Sequence, residues 1–351
     1  MQLDIFSHSR DVMLRNDVVA ALERRDADSA RAARLVLQGE FAGDDSLAAQ
    51  AVLIDALESA CGVPLANHDA ARDARKTLAD AVVPAACRLL GDASAPAWMV
   101  PLWRDLAARS AALPFRAEAR DEHAAPLWLR AGDWTAAVDA VGRIESWRRI
   151  PAPLAWMAEA RYRIDGLDAA WPLLVELAWL APKRFDGVAR SLADASLERL
   201  RKRFDAAFEG RGDIADLAWF PAWLLIDTPA LARLVGQAQP SLQEPAERAM
   251  RLLLDLLELE RRGRHDDLIA GAASCAGWIR ACTRRTWRRV EVRRLPFDAS
   301  WPRVRSARID HSVTTPGSPF IFLSKVRSAS QFSARALTAS RQSTRSARPR
   351  S

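Results

Sequence analysis

Helical periodicity is the feature that most limits how this chain can fold, and it runs through residues 1–270 and then stops. The charge changes at the same place. Residues 271–351 hold 17 Lys and Arg against 3 Asp and Glu, whereas residues 1–270 hold 34 against 41. The basic pI of about 9.9 therefore belongs to the last part of the chain. We expect an acidic folded body followed by a basic tail.

The body is made of residues that favour helices. Ala, Leu, Arg, Asp and Glu are abundant, and strand formers are scarce, with one tyrosine in the whole chain. Apolar residues recur at helical spacing between short polar turns. The pattern therefore predicts an all-α fold. The predicted helices include Asp11–Arg24, Ser29–Gln38, Ser46–Gly62, Ala70–Leu90 and Leu242–Arg261, the last opened by a capping box at Ser241–Glu244.

Short turns rich in Gly and Asp precede several of these helices. Ala131–Val138 aligns with Ile164–Trp171 at an offset of 33 residues, and both place Gly and Asp before a helix that begins with two alanines. Arg262–Ile269 has the same character, and Arg25–Ala33 is a poorer copy. Turns of this kind join antiparallel helices into hairpins. The sequence thus predicts a series of helical hairpins.

These hairpins resemble the tetratricopeptide repeat (TPR), a unit of about 34 residues with two helices. Pro182 stands where that repeat places its closing proline, although the Trp, Leu-Gly and Tyr signature is not reproduced in order. The resemblance covers residues 120–185 and 250–270. It implies antiparallel hairpins stacked as a TPR-like array, with a surface that binds proteins. An irregular helical bundle is the alternative.

We expect three parts along the chain. N-terminal helical hairpins occupy residues 1–95, the TPR-like array occupies residues 96–270, and a basic, low-complexity tail occupies residues 271–351. The first boundary rests on Pro96 and Pro101, which flank a tryptophan and predict a turn or a short helix.

The tail has two explanations. In the first it is a disordered basic arm for nucleic acid or an acidic partner. In the second it is an out-of-frame (frameshifted) sequence. Back-translation of Gly271–Arg289 with GC-rich codons, read two bases later, allows a helix-forming peptide that begins Arg-Arg-Lys-Leu-Arg, and a stop codon across Val290–Glu291. A native protein would then end near residue 290.

Motifs of catalysis and cofactor binding are absent from the sequence. There is no GxGxxG, Walker loop, HExxH or GxSxG, and the five histidines lack partners at metal-ligand spacing. We therefore expect no enzyme, no catalytic, cofactor or metal residues, and no cofactor. The first residues do not resemble a signal peptide, apolar runs are too short for a bilayer, and no CxxC occurs, which favours a cytoplasmic protein without membrane contact.

Ten of the 13 tryptophans lie between residues 98 and 223, where most would fill the space between helices. Trp219, Phe220 and Trp223 differ, because three aromatics in five residues around a proline cannot all face one core stripe. One or two of them would form an exposed patch for a partner. Arg201 and Arg203, in a local basic run, are the other candidate binding residues.

The expected function is a non-enzymatic scaffold for protein–protein interaction, with an unidentified protein or peptide as its partner. A first alternative is nucleic-acid binding through the basic tail and Arg199–Arg203, which requires that the tail is native. A second alternative is an enzyme whose site is not visible in the sequence.

Overall fold

The computed structural model describes residues 5–59, 62–208, 213–241, 245–264 and 267. Helices make up the regular structure of this part of the chain, which contains no β-strand. The all-α prediction is confirmed. The predicted tail at 271–351 and most of the predicted capping box lie outside the described residues.

The described residues form two units. Unit 1 is Met1–Ala218 with Gln237–Ser241, and unit 2 is Trp219–Gly236 with the residues from Leu242 onward. The division after Ala218 differs from the boundaries expected at 95 and 270, and those boundaries stay predictions. The helices of unit 1 are α1 (Ile5–Glu23), α2 (Ala27–Glu40), α3 (Leu47–Glu58), α4 (His68–Lys76), α5 (Val83–Arg109), α6 (Ala124–Arg130), α7 (Trp134–Gly142), α8 (Pro151–Asp165), α9 (Leu167–Leu180), α10 (Pro182–Ser191) and α11 (Ala195–Ala207). Unit 2 contains α12 (Phe220–Asp227), α13 (Ala232–Val235) and α14 (Pro245–Arg261).

One turn geometry recurs between helices. At Arg25, Gly132 and Gly263 the backbone is left-handed, with φ between 59° and 70°. In each turn the N–H of that residue donates to the carbonyl three residues back, and the next N–H donates to the carbonyl five residues back. This pair of backbone hydrogen bonds closes the end of a helix and reverses the chain. Gly166, which the alignment paired with Gly132, bonds instead to the carbonyl four residues back.

An aspartate follows the left-handed residue in three turns and begins the next helix. Asp26 accepts a hydrogen bond from the Ser29 N–H at 3.0 Å, and Asp133 accepts one from the Ala136 N–H at 3.4 Å. After the left-handed Ala193, Asp194 does the same for α11. Each carboxylate satisfies a backbone N–H that the helix leaves unpaired. The predicted turns at Arg25 and Gly132 therefore join helices, and the helix predicted within Arg262–Ile269 lies almost wholly outside the described residues.

Helices of unit 1 pack mainly against their neighbours in sequence, from α1 on α2 to α9 on α10.

The predicted helix at Ala70–Leu90 is part of a longer run. α4 continues into a π-helical segment, Thr77–Val82, and then into α5, which breaks at Gly91, where φ is 78° and ψ is 157°. Pro96 and Pro101 lie inside α5 after this break. The region is therefore helical rather than a turn.

Five of the ten tryptophans between residues 98 and 223 are buried, where we expected most of them to fill the space between helices. Trp98 is 7% exposed and its indole N–H donates to the Leu22 carbonyl at 2.8 Å. The Arg25 guanidinium lies over the same ring, 4.9 Å from the ring centroid. The buried members of the ten are Trp98, Trp103, Trp156, Trp171 and Trp179, and Trp128, Trp134, Trp147, Trp219 and Trp223 are partly exposed.

Candidate functional site

The predicted aromatic residues belong to unit 2 and differ in exposure. Phe220 is only 1% exposed, and its ring centroid lies 5.9 Å from that of Trp223. Trp219 and Trp223 are partly exposed. Phe220 is therefore an interior residue, and the two tryptophans alone offer surface to a partner. Their role in binding stays a prediction.

The predicted basic residues lie on α11 of unit 1. Arg201 places its guanidinium 3.2 Å from Asp186 and 3.7 Å from Asp205, and only 17% of its side chain is exposed. Asp186 is 6% exposed, and Arg201 together with Arg190 neutralises its buried charge. Arg201 therefore holds α11 to α10, which is a structural role. Arg203 is exposed, and its role in binding stays a prediction.

An open groove lies among three helical segments of unit 1. We call it the α3–α5 groove, and it is bounded by Val52–Ser59 at the end of α3, the π-helical segment Thr77–Val82 and Leu102–Arg109 of α5. Its cavity volume is about 390 Å³, which is within the range of pockets that bind ligands. The sequence contained no signal for it, because its residues are those of an ordinary helix core.

The π-helical segment shapes one wall of the α3–α5 groove. In a π-helix each N–H bonds to the carbonyl five residues back, one residue further than in an α-helix, as where the Val83 N–H donates to the Leu78 carbonyl. Such widened turns displace side chains from the regular helical spacing and are frequent at functional sites. Here Leu78, Ala81 and Val82 all reach the groove. The wall thus combines these three apolar side chains with the hydroxyl of Thr77.

Polar residues form one end of the α3–α5 groove. Asp105 accepts hydrogen bonds from the Gly62 N–H at 3.2 Å and from Arg109 at 3.4 Å. Arg109 also donates to the Val63 carbonyl at 2.9 Å. Both side chains therefore tie the segment after α3 to α5. Asp55, on the opposite wall, is exposed and forms no ion pair with the described residues.

A second depression lies at the start of α4, also with a volume of about 390 Å³. His68 Nε2 lies 2.8 Å from the Pro114 carbonyl there, and Arg72 bonds Asp69 at 2.7 Å. Arg116 and Glu118 add one charge of each sign to its edge. With charges mixed and the groups near the helix start already paired, this depression selects no class of ligand.

Buried ionisable groups next to this region serve the fold. Glu122 is 4% exposed and lies 3.4 Å from Arg75. His123 is 6% exposed, and its Nδ1 accepts the Ala125 N–H at 3.2 Å, which caps α6. Its ring stacks on Trp156, with ring centroids 5.9 Å apart. Burial first, and then the nearby positive charge, lowers the pKa of His123 from 6.5 to about 4. His123 is therefore neutral near pH 7, with its proton on Nε2.

Among the described residues, no group of three or more His, Cys, Asp or Glu side chains is arranged to hold a metal ion. In the same part of the chain no helix combines the length and apolarity needed to cross a bilayer. Comparison with protein-family models, curated proteins and solved structures finds no match for the chain.

Proposed function

We propose that this protein is a non-enzymatic scaffold of TPR-like helical hairpins that binds a segment of another protein. The observation that supports this most is the α3–α5 groove, an apolar depression with a polar end on a helical surface. Apolar grooves of this size accept the anchoring side chains of a partner peptide. The half-buried residues Val52 and Leu78 supply apolar surface that a partner would cover.

Nucleic-acid binding through Arg199–Arg203 has less support. Arg201 is committed to Asp186, and Lys202 pairs with Glu198 at 2.6 Å. A nucleic-acid surface needs cations that are free to neutralise phosphates.

The proposal is tested by selecting peptides of about 16 residues from a random phage-displayed library on the full-length protein. The key variant is Ala81→Arg, because Ala81 is exposed and lines the groove, so that a long charged side chain fills it without disturbing the core. Ala97→Arg is the matched control, since Ala97 is also exposed on a helix but lies outside the groove.

Enriched peptides should bind the wild type and Ala97→Arg equally in fluorescence anisotropy, and bind Ala81→Arg at least about tenfold more weakly, a loss of roughly 1.4 kcal/mol. Circular dichroism checks that all three proteins are folded. Failure to enrich any peptide, or equal binding to Ala81→Arg, would remove the support that the groove gives to a scaffold function.

A further inference from the structure

The residues that line the α3–α5 groove are spaced along each helix as in a face that packs against another helix. On α3, Val52, Asp55 and Ala56 stand at i, i+3 and i+4, and Ser59 follows at i+7. On α5 the same spacing runs from Leu102 to Arg109. Residues at this spacing form one face of a helix over two turns, about 10 Å along the axis. Helices in bundles pack against such faces.

The two long walls run in the same direction. Gly62, just after α3, donates its N–H to Asp105, and the Leu65 N–H donates to the Arg109 carbonyl at 3.0 Å. The C-terminal ends of α3 and α5 therefore lie at the same end of the groove.

The backbone chemistry of the walls favours a helical occupant over an extended one. The walls are helices, whose N–H and C=O groups already bond to each other. An extended peptide in the groove would leave its own backbone groups without protein partners where water is excluded, which costs free energy. A helix pairs these groups internally. The small side chains of Ala56, Ala74 and Ala81 also permit close approach.

The charge of the groove indicates one polar feature of the occupant. Asp105 is already engaged by Arg109 and Gly62. Asp55 is the carboxylate of the opposite wall, exposed and without an ion pair among the described residues. A Lys or Arg on the occupant would meet Asp55 at the edge of the apolar contact, where an ion pair adds specificity.

We propose that the α3–α5 groove holds one amphipathic α-helix of a partner protein, which inserts small apolar side chains at i, i+3, i+4 and i+7 and places a Lys or Arg against Asp55. This inference rests on the proposed scaffold function and adds the conformation and charge of the partner segment.

The test uses synthetic copies of the peptides enriched from the library, with full-length wild type, Asp55→Lys and Asp139→Lys. Asp55 is exposed near the C-terminal end of α3, where a cation suits the helix, so Asp55→Lys should fold. Asp139→Lys makes the same charge change at an exposed position of α7 outside the groove. Each peptide is also made with its basic residue replaced by Glu.

We expect each peptide to gain helical circular dichroism on binding. We also expect the affinity of the peptide to be roughly five- to tenfold lower for Asp55→Lys and unchanged for Asp139→Lys. The peptide with Glu should recover affinity for Asp55→Lys alone. This inference would be overturned by peptides that bind in the groove without becoming helical, or that bind Asp55→Lys as tightly as the wild type. Either result would leave the scaffold function standing. The absence of any binder sensitive to Ala81→Arg would overturn both.

Discussion

Mild acid should destabilise this protein through one buried side chain, His123. The His123 ring is neutral in the folded state, with its Nδ1 committed to the Ala125 N–H and its face against Trp156. Because its pKa is about 4 in the folded protein and 6.5 in the reference state, the unfolded chain binds a proton at a higher pH than the folded chain does. The contribution of His123 to the free energy of unfolding is therefore complete above pH 6.5 and is lost as the pH falls toward 4.

The size of the effect follows from the two pKa values. A shift from 6.5 to about 4 corresponds to a loss of roughly 3 kcal/mol once the group is fully protonated, and of roughly 2 kcal/mol between pH 7 and pH 5. Glu159 acts in the opposite direction, because burial raises its pKa, so that its protonation in the folded state adds stability as the pH falls. A measurement on the wild type alone would mix these contributions.

Urea unfolding at pH 7 and at pH 5 measures the change, and His123→Asn isolates it. Asparagine keeps an oxygen that can cap α6 but cannot take a proton in this range. The variant will be less stable at both pH values because it loses the ring contact with Trp156. Its loss of stability between pH 7 and pH 5 should nevertheless be roughly 2 kcal/mol smaller than that of the wild type. Equal losses in the two proteins would refute the assignment to His123.

Three further predictions concern the turns and the end of the chain. Ala193→Gly should raise the free energy of unfolding by about 0.5–1 kcal/mol, because Ala193 is exposed and left-handed with a φ of 51°. Arg25→Gly should lower it by about 1 kcal/mol or more despite the same relief, because the Arg25 side chain bonds the Trp98 carbonyl and covers its ring; urea titrations distinguish the two signs. Sequencing the gene across codons 265–295 in an independent clone should reveal a frame two bases on that encodes Arg-Arg-Lys-Leu-Arg and a stop near codon 290; an intact single frame with no such peptide would leave the basic tail as native sequence.

Helix content and hairpin turns could be predicted from the sequence because both depend on local patterns. Apolar spacing located α2 to within two residues at each end, and Gly and Asp marked the turn at Gly132. The sequence marks the matching turn at Arg25 less clearly, because Arg25–Ala33 is a poorer copy of the pattern. Its left-handed backbone is held by a side-chain contact with Trp98, 73 residues away, which no local pattern reveals.

The groove and the buried ion pairs could not be predicted for the same reason. Leu78 and Ala81 look like core residues, and only the packing of α3 and α5 shows that they border an opening. Arg201 looked like part of a basic surface, yet it neutralises the buried Asp186, 15 residues earlier. Whether a charge is exposed or paired depends on which helices become neighbours, and the sequence specifies that only through the complete fold.

Packing between sequence neighbours also has a consequence for how unit 1 acquires its structure. Contacts such as α1 on α2 and α8 on α9 close short loops, and short loops cost little entropy to form. Contacts between distant parts of the chain also occur in unit 1, as where the Gln239 N–H donates to Glu176 at 2.7 Å across 63 residues of chain. Closing so long a loop has a higher entropic cost. The segment Gln237–Ser241 should therefore dock after the neighbouring helix pairs of unit 1 have formed.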